Sequence, residues 1–258
     1  MRIAVLLSAG RHAVSGRPAP VPVELQAVGL AADFVERHGA DLTGLHAGPD
    51  VGPLRDALGH GLPNLVHLVT GADDDPLPSL AAALREGAFD LILAGRVAQG
   101  GEDSGLLPYA LARALGLPIV SDAAALAPGE TPGTLNVEQA LPRGARRRLL
   151  VRLPVLVTVH PAAPAARPFA FAGARRGILE TRPGLAAPRA STGLEERPYR
   201  PRPKLIAKAA AGASAAERLK AATEAASGGG RLLVDPPPEE AAREILAYLA
   251  GIGVVAKR

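Results

Sequence analysis

Short apolar runs alternate with helical patterns over roughly the first half of the chain. Four runs have the length of strands: 3–7, 41–46, 64–69 and 90–95. The segments that follow them carry apolar residues at helical spacing: 24–37, 51–58, 78–86 and 106–115. This βαβαβαβα order predicts an α/β fold with a doubly wound, mostly parallel sheet, because the crossovers between parallel strands are usually helices.

The pattern changes after Pro118. Residues 119–126, 134–141 and 149–159 form extended runs, which we expect to lengthen the sheet. Residues 161–203 are rich in Pro, Ala, Gly and Arg and have too few periodic apolar positions to bury themselves, so they are predicted to form an extended arm. Helical patterns return at two places: 215–226 and 239–249. We expect the last of these helices to dock on another surface.

Composition narrows the chemistry. The chain is 48% hydrophobic but only 3% aromatic, and it has no cysteine, which excludes disulfides, thiolate metal sites and a thiol nucleophile. Redox chemistry would therefore need a cofactor. A net charge of +4 with few aromatic residues argues against nucleic-acid binding. The apolar run 3–7 is too short for a signal peptide and no apolar stretch is long enough to cross a membrane, so we expect a cytoplasmic protein.

A glycine-rich loop follows the fourth strand. In open α/β sheets ligands bind beyond the carboxyl ends of the strands, and the start of a helix there favours an anion such as phosphate. The loop has neither the Walker pattern nor the dinucleotide fingerprint, so a capped glycine-rich turn is an equal alternative. The candidate nucleotide-binding residues follow three strands: Ser8, Ala9, Gly10, His46, Ala47, Gly95, Gln99, Gly100, Gly101, Glu102, Asp103, Ser104 and Gly105.

Three blocks in order resemble the beta subunits of electron-transfer flavoproteins. Residues 90–96 and 111–118 resemble that family's Asp-x-Ile-x-x-Gly signature with its following Leu-Ala-x-x-Leu-Gly-x-Pro. Residues 152–159 resemble its Leu-Pro strand, and residues 46–49 resemble its second nucleotide-side loop. The resemblance covers most of residues 1–180 and implies an adenine-nucleotide alpha-hydrolase-like, Rossmann-like domain there. It implies that residues 181–258 form an arm and C-terminal helices that pack on a partner subunit.

The resemblance also implies a function. Such a beta subunit pairs with an alpha subunit that holds most of the FAD, one FAD per heterodimer, and usually keeps AMP in its own crevice. It carries electrons from a flavin dehydrogenase to a membrane quinone reductase (ETF-quinone oxidoreductase) and is not itself an enzyme. No metal is expected, since His46 and His67 share no ligand spacing with a carboxylate.

Some positions depart from the family pattern. Residues 8–17 replace a loop that usually carries Lys, Pro and Asp, Gly100 and Gly101 thin the acidic cluster, and Gly105 stands where glutamine is usual. Retention of AMP therefore stays open, as does a second flavin in its place. Residues 8–17 and the basic run 141–148 resemble a divergent branch linked to catabolism of dimethylglycine and related N-methyl amino acids.

A segment with basic and aromatic residues corresponds to the family's recognition loop. Aromatic anchors surrounded by charges are typical of docking surfaces. The candidate docking residues are Arg167, Phe169, Phe171, Arg175 and Arg176, although both phenylalanines could instead pack on their own domain. The alternative function from another class is a free-standing adenine-nucleotide-binding α/β sensor. An acid/base enzyme using Glu102 and Asp103 carries little weight, because adjacent carboxylates lack the separation such chemistry needs.

Overall fold

The computed structural model describes residues 1–12, 14–97, 104–189, 214, 216 and 233–251. The chain divides into two compact units, residues 1–193 and 194–258. The strands of the first unit are β1 (Arg2–Leu6), β2 (Ala9–Arg11), β3 (Pro18–Pro20), β4 (Asp41–Gly48), β5 (Asn64–Val69), β6 (Leu91–Gly95), β7 (Ile119–Pro128), β8 (Thr134–Ala140), β9 (Arg146–Arg152), β10 (Val155–Val159) and β11 (Ile178–Pro183). Its helices are α1 (Pro22–His38), α2 (Asp56–Gly59), α3 (Pro76–Gly87), α4 (Leu107–Leu115) and α5 (Phe171–Arg176), with 3-10 turns at Gly52–Leu54 and Pro142–Gly144.

The described residues form a nine-stranded sheet in the order β11-β5-β4-β1-β6-β10-β7-β8-β9. Strands β11, β5, β4, β1, β6, β10 and the start of β7 run parallel, while β8 and β9 are antiparallel additions. The expected α/β doubly wound, mostly parallel sheet is therefore confirmed.

Every residue of β6 and β10 is buried, because both faces of the central sheet are covered. One face packs on α1, a helix whose core-facing residues include Leu25, Val28 and Phe34. The opposite face packs on α3 and α4, where Leu80, Leu84 and Leu111 are buried. Continuous apolar runs such as Leu91–Gly95 are the sequence pattern that this double burial requires.

The predicted strand 149–159 is two strands rather than one. Arg146–Arg152 pairs antiparallel with β8, whereas Val155–Val159 is a central parallel strand. Pro154 separates them, since proline cannot donate a ladder hydrogen bond. A bulge in β7, between Ala123 and Ala125, bends that strand, and the β8–β9 hairpin buries Leu135 and Val137 in the α1-side core.

The predicted extended arm, residues 161–203, is wrong for residues 171–183, which form regular elements. α5 lies in it, and β11 pairs with the edge strand β5 from Ile178 to Pro183. The sequence shows no alternation there because all side chains of β11 except Leu179 are exposed. Backbone pairing with β5 holds it in the sheet, together with Leu179, which packs against the α1-side core, and an ion pair of Arg182 with Glu86 on α3.

The second unit contributes one described helix, α6 (Pro238–Gly251). It confirms the helix predicted at 239–249, with Glu239 and Glu240 in its first turn where the helix dipole favours acidic residues. The helix predicted at 215–226 lies outside the described residues, apart from an isolated position.

We predict that the packing of the β8–β9 hairpin against the core contributes to the free energy of unfolding. Leu135 is 1% exposed and Leu150, on the same hairpin, is 58% exposed. Leu135→Ala should lower the free energy of unfolding by about 2–5 kcal/mol, whereas Leu150→Ala should change it by less than about 0.5 kcal/mol. Urea denaturation followed by circular dichroism measures both. Equal effects would show that the hairpin does not pack as described.

Candidate functional site

The order of the strands creates a crevice between β1 and β6. The chain runs from β1 outward through β4 to β5, and then returns to place β6 on the other side of β1. Connections therefore leave the carboxyl ends of β1 and β6 in opposite directions, which is the position where α/β sheets bind ligands. Ser8 follows β1 at this point, and Gly95 ends β6.

A buried carboxyl forms the floor of this crevice. Glu24, in the first turn of α1, is 4% exposed. Ser8 donates to it twice, from its N–H to Oε2 at 2.7 Å and from its hydroxyl to Oε1 at 2.6 Å. Gly95 lies directly against it, because a Cβ at that position would come within 3.0 Å of the Glu24 Cγ. Glu24 thus joins the ends of both strands that border the crevice.

Burial decides the charge of Glu24. Loss of solvent raises the pKa of this carboxyl from 4.5 to about 8, and the two hydrogen bonds from Ser8 offset only part of that rise. Near neutral pH the group is therefore mainly an uncharged acid. A neutral floor does not repel an anion, so the crevice is compatible with a phosphate despite containing a glutamate.

Two buried histidines lie on neighbouring strands, His46 on β4 and His67 on β5. The rings of His46 and His67 stack with centroids 5.5 Å apart. His46 Nδ1 lies 2.9 Å from the carbonyl oxygen of Leu7 and Nε2 lies 3.1 Å from that of Asp50, while His67 Nε2 lies 2.8 Å from that of Gly48. Burial lowers the pKa of His46, so a neutral ring donates to one of its two carbonyls. His46 therefore ties the loop after β4 to the end of β1.

The first candidate loop is a small hairpin. Ala9 and Gly10 belong to β2, which pairs with β3 through Pro20 and Ala19. A Cβ on Gly10 would lie 2.8 Å from both the Ala19 oxygen and a Val21 methyl, so only glycine fits here. The hairpin places Ala9 beside Ser8 at the entrance to α1.

The glycine-rich loop is described only at its two ends. Gly95 and the following two residues leave β6, and Ser104 and Gly105 lead into α4. Gly105 has φ 69°, and a Cβ there would lie 2.7 Å from the Arg96 oxygen, so the two ends of the loop meet. The central candidates lie outside the described residues: Gln99, Gly100, Gly101, Glu102 and Asp103. Ser104 accepts from the Leu106 N–H at 3.3 Å.

The candidate docking residues divide into two groups. Arg167 is held within the chain, because its guanidinium donates to Asp33 and, at 2.6 Å, to Glu36 on α1. Phe169 packs edge-on against His60 and covers Gly59. Phe171, 69% exposed, and the side chains of Arg175 and Arg176 project from α5. Arg167 and Phe169 thus hold the segment before α5 against its own domain. The side chains of Phe171, Arg175 and Arg176 are exposed to solvent.

One cavity of the described residues lies away from this crevice. It has a volume of about 510 Å³ and is at the amino-terminal edge of the sheet, near Asp41, Asn64, Arg167 and Arg176. A second cavity of about 250 Å³ lies near Arg2 and Arg182. Neither borders the β1–β6 crevice. Neither cavity therefore lies at the carboxyl ends of the strands, where open α/β sheets bind their ligands.

Sequence reasoning missed Glu24 and Asp122. By spacing alone Glu24 is only the first residue of a helical pattern, and the one signal for its burial is that an acidic residue stands within the apolar stretch after Pro22. Asp122 lies inside a predicted strand, and nothing in the sequence indicates its left-handed backbone at φ 58°.

No helix among the described residues is both long and apolar enough to span a membrane. No group of three or more His, Asp and Glu residues within those same ranges could hold a metal ion.

Comparison with known proteins gives a consistent result. The electron transfer flavoprotein domain matches residues 12–184. A relative from Chromohalobacter salexigens, the electron transfer flavoprotein subunit beta, is 41% identical over 226 residues, which covers 86% of this chain and 83% of the relative. The domain match thus includes Glu24, the glycine-rich loop and the segment around α5, whereas Ser8, Ala9 and Gly10 precede it.

We predict that Glu24 makes stability depend on pH. Because its pKa is higher in the folded chain, its contribution is fully present below pH 4.5 and is lost as the pH rises through about 8. Glu24→Gln, a neutral group of the same shape, should remove this dependence. Between pH 5 and 9 the unfolding free energy of the wild type should fall more than that of the variant, by on the order of 4 kcal/mol.

Urea denaturation across that pH range measures the difference. Glu86→Gln, which changes an exposed carboxyl on α3, is the control and should follow the wild type. Parallel pH profiles for the wild type and Glu24→Gln would contradict the assignment of a buried neutral acid.

Proposed function

Because the chain belongs to the electron-transfer flavoprotein family, as a beta subunit, we propose that it pairs with an alpha subunit and carries electrons through FAD from a flavin dehydrogenase to a quinone reductase. The family match over most of the chain is the observation that supports this function. Members of the family are electron carriers associated with flavin. The chain itself supplies no thiol for redox chemistry, since it has no cysteine.

FAD would lie mainly on the alpha subunit, with one FAD per heterodimer. This chain lacks a dinucleotide fingerprint, and its β1–β6 crevice suits a smaller ligand. The helix start that follows Ser104 offers free N–H groups to one phosphate. We therefore propose an adenine mononucleotide such as AMP in the crevice, a structural ligand that stabilises the loops around it.

The described residues fit that ligand chemically. Glu24 is neutral near pH 7, so the floor adds no charge against a phosphate. The N–H and the hydroxyl of Ser8 both donate to Glu24. Ser8 would therefore position Glu24 rather than bind the nucleotide directly. Ala9, Gly10, Ala47 and the two ends of the glycine-rich loop remain as the surfaces that would contact the nucleotide.

The electron-donating dehydrogenase would dock on α5. Phe171 supplies an exposed apolar anchor, and Arg175 and Arg176 supply charges that steer an acidic partner. Arg167 and Phe169 hold this segment against α1 and α2, so it presents a fixed shape. The sequence branch points to a dehydrogenase of dimethylglycine or a related N-methyl amine.

Co-expression with the alpha subunit tests the carrier function. The tagged beta chain should co-purify with that subunit, show a flavin spectrum corresponding to about one FAD per heterodimer, and release AMP when the complex is denatured. A beta chain that elutes alone, is colourless and binds ATP would contradict the proposal and favour a nucleotide sensor. A yellow complex without AMP would refute the crevice ligand alone.

We predict that Phe171→Ala slows electron acceptance. Truncating an apolar anchor at the centre of an interface typically costs about 2 kcal/mol, so the rate at subsaturating protein should fall roughly thirtyfold. Stopped-flow reduction of the heterodimer flavin by dimethylglycine dehydrogenase measures it. Leu150→Ala, an exposed apolar residue on β9, is the control and should leave the rate unchanged. Equal rates for the Phe171 variant and the wild type would exclude α5 as the docking site.

A further inference from the structure

A strained residue of β7 contacts the base of the glycine-rich loop. Asp122 has φ 58°, a left-handed conformation that most residues other than glycine adopt at a cost, although aspartate tolerates it better than most. Its N–H donates to the Thr158 hydroxyl at 3.0 Å, and Thr158 is buried in β10. This hydrogen bond adjoins the bulge of β7, so the position of the Asp122 carboxylate is set by the sheet.

The carboxylate of Asp122 faces Arg96, the first residue after β6. The distance from Arg96 Nε to Asp122 Oδ1 is 3.5 Å. This Oδ1 atom is buried and makes no hydrogen bond among the described residues. A buried carboxylate oxygen without a hydrogen bond is costly unless a positive charge lies nearby, and the Arg96 guanidinium is that charge.

Arg96 in turn contacts both ends of the glycine-rich loop. Its N–H donates to the Val159 oxygen at the end of β10, at 3.2 Å. Its own carbonyl oxygen lies against Gly105, where the loop returns to α4. Arg96 therefore contacts the end of β10, Asp122 beside the bulge of β7, and Gly105 at the far end of the loop.

We propose that Asp122 is a positioning residue for the nucleotide site, which holds Arg96 and thereby keeps the two ends of the glycine-rich loop in the spacing that receives a phosphate. This inference rests on the proposed nucleotide crevice. It predicts that loss of the ion pair weakens recognition of the phosphate more than recognition of the nucleoside, because the start of α4, where the loop ends, favours an anion.

The experiment compares AMP with adenosine by isothermal titration calorimetry on the FAD-loaded heterodimer after bound nucleotide is removed. Asp122→Asn removes the charge but keeps the backbone, since asparagine also tolerates the left-handed region. Arg96→Gln removes the opposite charge. Each should weaken AMP binding about threefold to fivefold, as expected for an ion pair of this exposure, and adenosine binding should weaken less.

The double variant identifies whether the two residues act together. If they do, Arg96→Gln with Asp122→Asn should bind AMP no more weakly than Arg96→Gln alone, whereas independent effects would multiply. Glu138→Gln is the matched control, because it breaks an ion pair of similar length, 3.6 Å, and similar exposure on the β8–β9 hairpin. Its AMP affinity should equal that of the wild type.

Several results would overturn the inference. They are unchanged AMP binding in the single variants, equal losses for AMP and adenosine, multiplicative effects in the double variant, or tighter AMP binding in Asp122→Asn, which would show that Asp122 restrains Arg96 instead of positioning it. If the wild-type heterodimer binds neither ligand, the proposed crevice ligand is wrong and this inference fails with it.

Discussion

The pairing of β1 with β4 on one side and β6 on the other is the constraint on which the molecule depends. Parallel pairing turns the carboxyl ends of all these strands to the same edge, and the reversal of direction at β1 separates the connections that leave it. Ser8, Ala47, Gly95 and Arg96 come from distant parts of the sequence, yet they reach one edge for this reason. The order and direction of the strands therefore determine the position of the candidate site.

Side chains then secure that edge from inside the fold. Glu24 joins β1 to β6, His46 joins β1 to the loop after β4, and Asp122 joins β7 to the loop after β6. Two of these groups are buried ionisable residues whose pKa burial shifts towards the neutral form. Two of these three connections are therefore hydrogen bonds of mainly neutral groups, and the third is the ion pair of Asp122 with Arg96.

The sequence predicted the parallel core well and the periphery poorly, for physical reasons. Leu91–Gly95 is recognisable as a strand because double burial demands a continuous apolar run. Ile178–Pro183 is not, because its backbone pairs with β5 while its side chains stay mostly exposed. The candidate residues lie at or near strand ends, but β4 extends to Gly48 and so contains His46 and Ala47, and Ala9 and Gly10 belong to β2. Glu24 and Asp122 depend on burial and backbone geometry, which residue spacing does not encode. Gln99 to Asp103 remain predictions.

A nucleotide in the β1–β6 crevice and one in the cavity at the opposite edge would protect different peptides. Hydrogen–deuterium exchange of the heterodimer with and without AMP distinguishes the two positions. AMP in the β1–β6 crevice should slow exchange in peptides covering residues 8–11 and 95–107. Slowing confined to residues 58–64 and 173–177, which line the cavity of about 510 Å³, would contradict the crevice position.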